Sequence, residues 1–202
     1  ICFMFAPIFH PAMKYAAAPR REIGIRTIFN ILGPLTNPAH AKFQVIGVPS
    51  EELEEKIAYV LLRLGTNHSL VVHGMDGMDE ISISGGTMIC DVDQRRVLPP
   101  YEVFPEDFGF MKASTTEIKG GTAKQNAGIL RSILNGEAGA RRNVVVMNAA
   151  AALVAGNQAS NLKEGAHIAE ETIDSGRAKA KLDGLVKLSQ SLNKGIASLR
   201  SQ

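Results

Sequence analysis

The residues of this chain best suited to chemistry are two adjacent acids in a loop punctuated by glycine. Asp79 and Glu80 end the segment 72–80, Val-His-Gly-Met-Asp-Gly-Met-Asp-Glu, which continues from the apolar residues 70–72. Carboxylate oxygens are hard ligands, and Mg²⁺ usually takes one or two protein carboxylates together with waters and substrate phosphates. The segment therefore predicts a magnesium site. A solvated acidic loop explains the same residues, and their types alone leave both interpretations open.

A second group with chemical potential lies between residues 10 and 37. An aromatic carboxylate needs an arginine fork for its carboxyl group and a flat apolar wall for its ring. Arg20 and Pro34 have these properties, and His10 could exchange a hydrogen bond with an amine or a carboxylate. From chemistry alone, however, Arg20 is better explained as a solvated side chain and His10 as a helix-start residue.

Two further segments are more simply explained by structure than by chemistry. Gly120-Gly121 precedes a helical pattern, where backbone N–H groups could bind an anion. A tight turn with Thr122 as the N-cap explains the same residues and is favoured. The small residues of the run 148–152, Asn-Ala-Ala-Ala-Ala, indicate close helix packing and no chemical role.

The elements that must position these residues follow from the apolar periodicity. Residues 43–48 and 69–73 are apolar, flanked by breakers, and predict strands, while residues 50–65 predict an amphipathic helix with Ser50 as its N-cap. This order is a βαβ unit and favours a parallel strand pair. Residues 79–104 suggest strands and loops. The remaining predicted helices cover residues 122–134, 141–155 and 161–191.

The first 35 residues predict a strand and two helical stretches. Residues 1–6 resemble a buried strand, and Pro11 suits a first helical position. A helical pattern from residue 20 is expected to stop at Gly33-Pro34. Because the chain starts within an apolar run, without an initiator Met or a signal-peptide pattern, we expect it to be a fragment that lacks its preceding segment.

Composition narrows the class of protein. The chain has 202 residues, 45% of them hydrophobic and 21% charged, with a net charge of +2. These values predict a globular chain, and the order of its predicted elements predicts one α/β domain over residues 1–202, with a central, largely parallel sheet flanked by helices. The near-neutral charge argues against a nucleic-acid surface, and no apolar run approaches the roughly 18 residues of a membrane span. Two cysteines without a ligand pattern favour the cytoplasm.

Taken together, these segments resemble the anthranilate phosphoribosyltransferases. The matching residues occur in order along the whole chain. They are 5–7, 10–14, 20–22, 24–30, 33–38, 73–74, 76–80, 120–121, 126–127, 148–152 and 164–165.

The resemblance implies a fold like the C-terminal domain of nucleoside phosphorylases and phosphoribosyltransferases. It also implies transfer of a phosphoribosyl group from phosphoribosyl pyrophosphate to anthranilate in tryptophan biosynthesis, with Mg²⁺ as cofactor. By position, His10, Arg20 and Pro34 would belong to the anthranilate site, and Asp79 and Glu80 to the metal site. No residue is assigned as a catalytic base, because an aromatic amine is already a fair nucleophile and His10 is better suited to orienting it.

The chain also departs from that family. Three features of the family do not occur in this chain: the glycine-rich Gly-Thr-Gly-Gly-Asp loop, the Lys-His-Gly-Asn segment and the helical domain that builds the family's homodimer. We therefore expect this chain to be inactive by itself. Two alternatives stay open: a pyrimidine nucleoside phosphorylase, and a non-catalytic paralogue that binds nucleic acid.

Overall fold

The structure is a computed structural model that describes residues 32–200 and, before them, Cys2, Met4, Phe9, Tyr15 and Glu22. For Leu32, Pro34 and residues 193–200 it describes the backbone only. The strand expected over residues 1–6 and the helix expected to begin at Pro11 fall largely outside this description. A single domain over residues 1–202 therefore stays a prediction.

Strands occupy the first half of the described chain and helices the second. In chain order the elements are α1 (Leu32–Leu35), β1 (Phe43–Gly47), α2 (Glu51–Arg63), β2 (His68–Gly74), β3 (Thr87–Asp93), β4 (Tyr101–Val103), a 3₁₀ turn (Pro105–Phe108), α3 (Ala123–Leu134), α4 (Ala140–Ala155), α5 (Leu162–Asp174) and α6 (Arg177–Arg200). The α/β class is confirmed, as are the predicted strands β1 and β2 and the helix α2 between them.

The described strands form one sheet of mixed direction. Its order is β1-β2-β3-β4. β1 and β2 are parallel, as the βαβ pattern predicted, but β3 is antiparallel to β2 and β4 is antiparallel to β3. The expectation of a largely parallel sheet is therefore wrong for the described strands. Parallel neighbours usually need a helical crossover, and residues 75–86 between β2 and β3 contain no helix.

Helices cover both faces of this sheet. Alternate residues of a strand point to opposite faces, so Leu70 and Val72 of β2 pack against α4 and α5, while Val71 packs against α2. Because both faces are buried, β2 has a continuous apolar run at its centre, residues 70–72, which is why the sequence identified it readily. The two cores hold the sheet between helical layers.

Three local predictions can be compared with the backbone. α1 ends at Leu35, which agrees with the end of the helical pattern predicted up to residue 35; Gly33 and Pro34 lie inside the segment, because the φ angle that proline imposes is helical. Thr122 caps α3, and its hydroxyl accepts from the Gln125 N–H. The predicted helix over 161–191 is divided into α5 and α6 at Gly176, whose φ is +74°.

None of the helices in the described part of the chain combines the length and the apolar character that crossing a membrane requires.

A close backbone approach at Gly47 sets the position of the loop that follows β2. Gly47 is the last residue of β1, and a methyl group added to it would overlap the carbonyl group of Asp79. The φ angle of Gly47 is not in the left-handed region, so the requirement for glycine here is one of space. The acidic loop therefore packs directly on the carboxyl end of β1.

We expect Gly47→Ala to displace Asp79 and to lower the free energy of unfolding by about 1–3 kcal/mol, the usual cost of overpacking. Denaturant unfolding would measure the loss, and amide hydrogen exchange at residues 78–81 would report the displacement. Gly85→Ala is the control, since an added methyl at Gly85 meets nothing within 4 Å. Equal stability of both variants and wild type would show that the close approach is not required.

A buried acid on α2 makes stability depend on pH. The Glu54 side chain is 2% exposed, and within the described residues its Oε1 has no hydrogen-bond partner. Burial first, and then the negative charge of Glu51, raise the pKa of Glu54 from 4.5 to about 7. Between pH 4.5 and 7, Glu54 is therefore protonated in the folded protein but ionised in the unfolded chain. The free energy of unfolding consequently falls as the pH rises from about 4.5 through 7.

We expect Glu54→Gln to raise the free energy of unfolding at pH 8 and to change it little at pH 5. The gain should be about 1–2 kcal/mol, below the roughly 3 kcal/mol of the full shift, because water near the helix surface screens part of the charge. Denaturant unfolding of both proteins between pH 5 and 8 measures this. The exposed neighbour Glu55 offers the control, Glu55→Gln. A parallel pH dependence for wild type and Glu54→Gln would contradict the prediction.

Candidate functional site

A tight turn at the carboxyl end of β2 begins the candidate site. The N–H of Gly74 donates to the Met78 carbonyl at 2.8 Å, and the N–H of Gly77 donates to the Gly74 carbonyl at 2.8 Å. Gly77 has a φ of +90°, which favours glycine. A side chain on Gly74 would meet the Asp76 carboxylate at 2.7 Å. The glycines of this loop are therefore needed to close the turn.

Asp76 holds the turn to the chain that leaves the loop. Its carboxylate accepts hydrogen bonds from the hydroxyls of Ser82, at 2.6 Å, and Ser84, and from the N–H of Met78 at 3.2 Å. Burial pushes the pKa of Asp76 upward, but these hydrogen bonds outweigh burial and keep the pKa below its ordinary value. Asp76 is thus an ionised structural residue, and its oxygens are already engaged.

Asp79 and Glu80 carry the free negative charge of the loop. Both residues are exposed, and no lysine or arginine of the described chain forms an ion pair with either. Burial first, and then the charges of Asp79 and Asp76, raise the pKa of Glu80. A site that gathers three carboxylates without a protein cation has the electrostatics that a bound cation would relieve.

Buried polar contacts join this loop to the sheet and to α4. His73 is 9% exposed, and its Nδ1 lies 3.0 Å from the Val48 carbonyl oxygen, just after β1. The Asn148 side chain bonds both the N–H and the carbonyl of Ile81, at 2.9 and 3.0 Å. Ile81 is fully buried and directly follows Glu80. The acidic pair is therefore connected to both neighbouring layers of the fold.

Sequence reasoning missed Asn148, which it assigned to helix packing. The available signal was a single amide within the apolar and small residues of 144–153, because a partly buried polar group in such a run needs a partner. The partner could not be identified from the sequence, since Ile81 lies 67 residues away. Asp76, Ser82 and Ser84 were likewise not singled out.

The structure brings together some of the predicted site residues and leaves others outside its description. Asp79 and Glu80 lie side by side beyond the carboxyl ends of the parallel strands β1 and β2, where α/β proteins bind ligands. His10 and Arg20 fall outside the described residues. For Pro34, only its backbone position in α1 is described. The predicted anthranilate pocket therefore stays a prediction.

The donor set itself suits a hard divalent cation that is shared with a ligand. In the described part of the chain, no group of three or more His, Cys, Asp or Glu side chains is arranged to enclose a metal ion. Asp79 and Glu80 supply two exposed carboxylates, which is the number that Mg²⁺ commonly takes from protein when phosphates and waters complete its shell. The arrangement can thus hold a cation together with a phosphorylated ligand.

The third candidate, at Gly120-Gly121, is a capped turn, as favoured from the sequence. The Gly121 N–H donates to the Asn126 side chain at 2.7 Å, and the Thr122 N–H donates to Gln125 Oε1 at 2.7 Å. The N–H groups that could have faced an anion are therefore satisfied by the first turn of α3.

Comparison with curated proteins shows close sequence relatives. The chain is 52% identical over 191 residues to the anthranilate phosphoribosyltransferase of Acetivibrio thermocellus, covering 95% of this chain and 55% of that protein. It is 55% identical over 188 residues to the enzyme of the same name from Geobacter sulfurreducens, covering 93% and 53%. The chain spans about half the length of the curated relatives that it matches.

Solved structures with a similar fold are also named anthranilate phosphoribosyltransferase. Anthranilate phosphoribosyltransferase from Thermus thermophilus matches with a TM-score of 0.85 and 40% identity, over 92% of this chain and 54% of that one. The enzyme from Saccharomyces cerevisiae in complex with PRPP and Mg matches with a TM-score of 0.85 and 30% identity, over 94% and 54%. Its complex with 4-fluoroanthranilate matches with a TM-score of 0.88 and 30% identity, over 95% and 55%.

A family-level match agrees with these individual comparisons. Residues 1–179 match the family described as "Glycosyl transferase family, a/b domain". The matched range includes every predicted site residue and the whole described sheet. The chain therefore belongs to this glycosyl transferase family.

Proposed function

We propose that this chain provides the α/β part of an anthranilate phosphoribosyltransferase. The enzyme transfers the phosphoribosyl group of phosphoribosyl pyrophosphate to the amino group of anthranilate, a step of tryptophan biosynthesis. The observation that carries the proposal is the pair of exposed, unneutralised carboxylates, Asp79 and Glu80, beyond the carboxyl ends of β1 and β2. The sequence relatives and the complexes of the yeast enzyme support it.

Magnesium is the cofactor that the site suits best. Asp79 and Glu80 are the residues that would hold it, since their carboxylates are accessible, whereas the carboxylate of Asp76 already accepts hydrogen bonds from two serines. A bound Mg²⁺ neutralises charge on a pyrophosphate leaving group as a Lewis acid. The yeast enzyme's structures with Mg, and with PRPP and Mg, support this cofactor.

The protein's own contribution is mainly positioning. The Asp79–Glu80 loop fixes where the cation and its phosphate ligand bind, relative to the ends of the two parallel strands. His10, Arg20 and Pro34 form the anthranilate site in this proposal: Arg20 binds the carboxylate, Pro34 packs against the ring and His10 orients the substrate. Holding an aromatic amine against the ribose carbon gives most of the rate advantage without a general base.

Other parts of the proposal concern the setting of the enzyme. The complete enzyme is a homodimer in the cytoplasm, with small-molecule substrates and neither a nucleic-acid nor a membrane partner. Cys2 and Cys90 are free thiols, which suits a reducing compartment. The 202-residue chain alone is inactive, because the glycine-rich phosphate loop does not occur in it.

The test uses the protein encoded by the complete reading frame that contains this chain, assayed by the loss of anthranilate fluorescence. We expect Glu80→Gln to lower kcat/KM at least 100-fold, about 2.7 kcal/mol, and to raise the Mg²⁺ concentration needed for half-maximal rate. The matched control is Glu55→Gln, an exposed acid of α2 that should change the rate less than about 2-fold.

Three results would contradict the proposal. If Glu80→Gln has the kinetics and the Mg²⁺ dependence of wild type, the loop does not bind the metal. Turnover of thymidine and phosphate in place of anthranilate would identify a pyrimidine nucleoside phosphorylase. Steeply salt-dependent DNA binding without turnover would instead favour the nucleic-acid-binding paralogue.

A further inference from the structure

Asn148 uses its whole side-chain amide to hold a single segment of backbone. Its Oδ1 accepts from the Ile81 N–H at 2.9 Å, and its Nδ2 donates to the Ile81 carbonyl at 3.0 Å and to the Val144 carbonyl at 2.9 Å. An amide offers two N–H donors and one oxygen, and all of them are engaged. Turning the amide over would place N–H against N–H at Ile81, so the hydrogen bonds define its orientation.

The bonds to Ile81 replace what a neighbouring strand would provide. Ile81 is 0% exposed and lies between β2 and β3, outside any strand, so its backbone has no ladder partner. A buried N–H or carbonyl without a partner is unfavourable, because it gives up its hydrogen bonds to water and gains none in return. Asn148 therefore keeps the buried course of the chain favourable at this residue.

The position of Ile81 matters because it directly follows the acidic pair. On one side, the Asp79 carbonyl packs against Gly47 at the end of β1. On the other side, one residue beyond Glu80, the peptide groups of Ile81 are bound by Asn148. The two carboxylates are thus carried on a stretch of backbone that is restrained at both ends by different layers of the fold.

The helix that carries Asn148 is a firm support. Val146 and Met147 are fully buried, and a methyl group on Gly165 of α5 would lie 2.8 Å from the Ala150 carbonyl oxygen. Such close packing of α4 on α5 leaves little freedom for α4 to shift. A side chain on a fixed helix can hold a loop more accurately than the loop's own turns can.

We propose that Asn148 is a positioning residue for the cation site: it fixes the Ile81 peptide so that the Asp79 and Glu80 carboxylates are ordered before the cation binds. A loop that is ordered in advance does not lose conformational entropy when the cation binds, so binding is tighter. Support of metal-binding carboxylates by groups behind them has a comparable effect in other proteins. The link to the cation rests on the proposed function, whereas the ordering of the loop does not.

The experiment compares Asn148→Leu with wild type in the protein encoded by the complete reading frame that contains this chain. Leucine keeps the volume of the side chain and introduces no charge, but it removes both bonds to Ile81. We expect amide hydrogen exchange at Ile81, whose N–H loses its acceptor, to speed up at least 10-fold. Binding of Mn²⁺ in the presence of inorganic pyrophosphate, measured by water-proton relaxation, should weaken at least 5-fold.

Two further variants separate positioning from general stability. Asn143→Leu makes the same change on the same helix at an amide that has no side-chain hydrogen bond within the described chain, and it should change neither measurement. Asn148→Asp retains an acceptor for the Ile81 N–H and loses the donor to its carbonyl. If Asn148→Leu does not fold, Asn148→Asp should still show faster exchange at Ile81 than wild type, because one of the two bonds to this peptide is lost.

Each outcome decides one part of the proposal. Unchanged amide exchange in both Asn148 variants would overturn the positioning role, whatever the affinity for Mn²⁺. Faster exchange with unchanged Mn²⁺ affinity would overturn the link between loop order and the cation. A complete wild-type protein that orders the loop through Asn148 and yet binds no Mn²⁺ would contradict the metal site of the proposed function, while supporting the ordering role.

Discussion

The contact between the end of β1 and the loop after β2 is the constraint on which the candidate site depends. Two parallel strands finish at the same edge of the sheet, and the loop leaving β2 turns back so that the Asp79 carbonyl packs against Gly47. No larger residue fits there without moving one of the two backbones. This contact determines where the acidic pair stands relative to the strand ends, which is where α/β folds bind ligands.

The three carboxylates of the loop after β2 differ in their surroundings. Asp76 is satisfied by two serine hydroxyls and a backbone N–H, so its carboxylate stabilises the turn. Asp79 and Glu80 are left exposed beside it, and the pKa of Glu80 rises through burial and through the neighbouring acids. The loop thus concentrates negative charge that the described protein does not itself compensate. An electrostatic cost of this kind is common at sites that bind a cation or a ligand complex.

The supporting structure acts through hydrogen bonds to the backbone. Asn148 joins the loop region to α4, and His73 joins it to the end of β1. The amide of Asn148 adds no charge near the carboxylates. Close helix packing at Gly165 keeps α4 in place beneath. A neutral support orders the backbone and leaves the charge of the acidic pair available. Groups that lie behind the ligands orient metal-binding side chains in many proteins.

The sequence by itself determined the elements whose signals are local. Apolar runs identified β1 and β2, a cap and a 3.6-residue period identified α2, and Thr122 identified the start of α3. The ordered motifs also identified the family, because each is a short run of particular residues. Only the tertiary structure decided the antiparallel course of β3, the contact of Asp79 with Gly47 and the pairing of Asn148 with Ile81. These features join residues that are distant in the chain, and no periodicity or composition encodes which distant partner a backbone group will find.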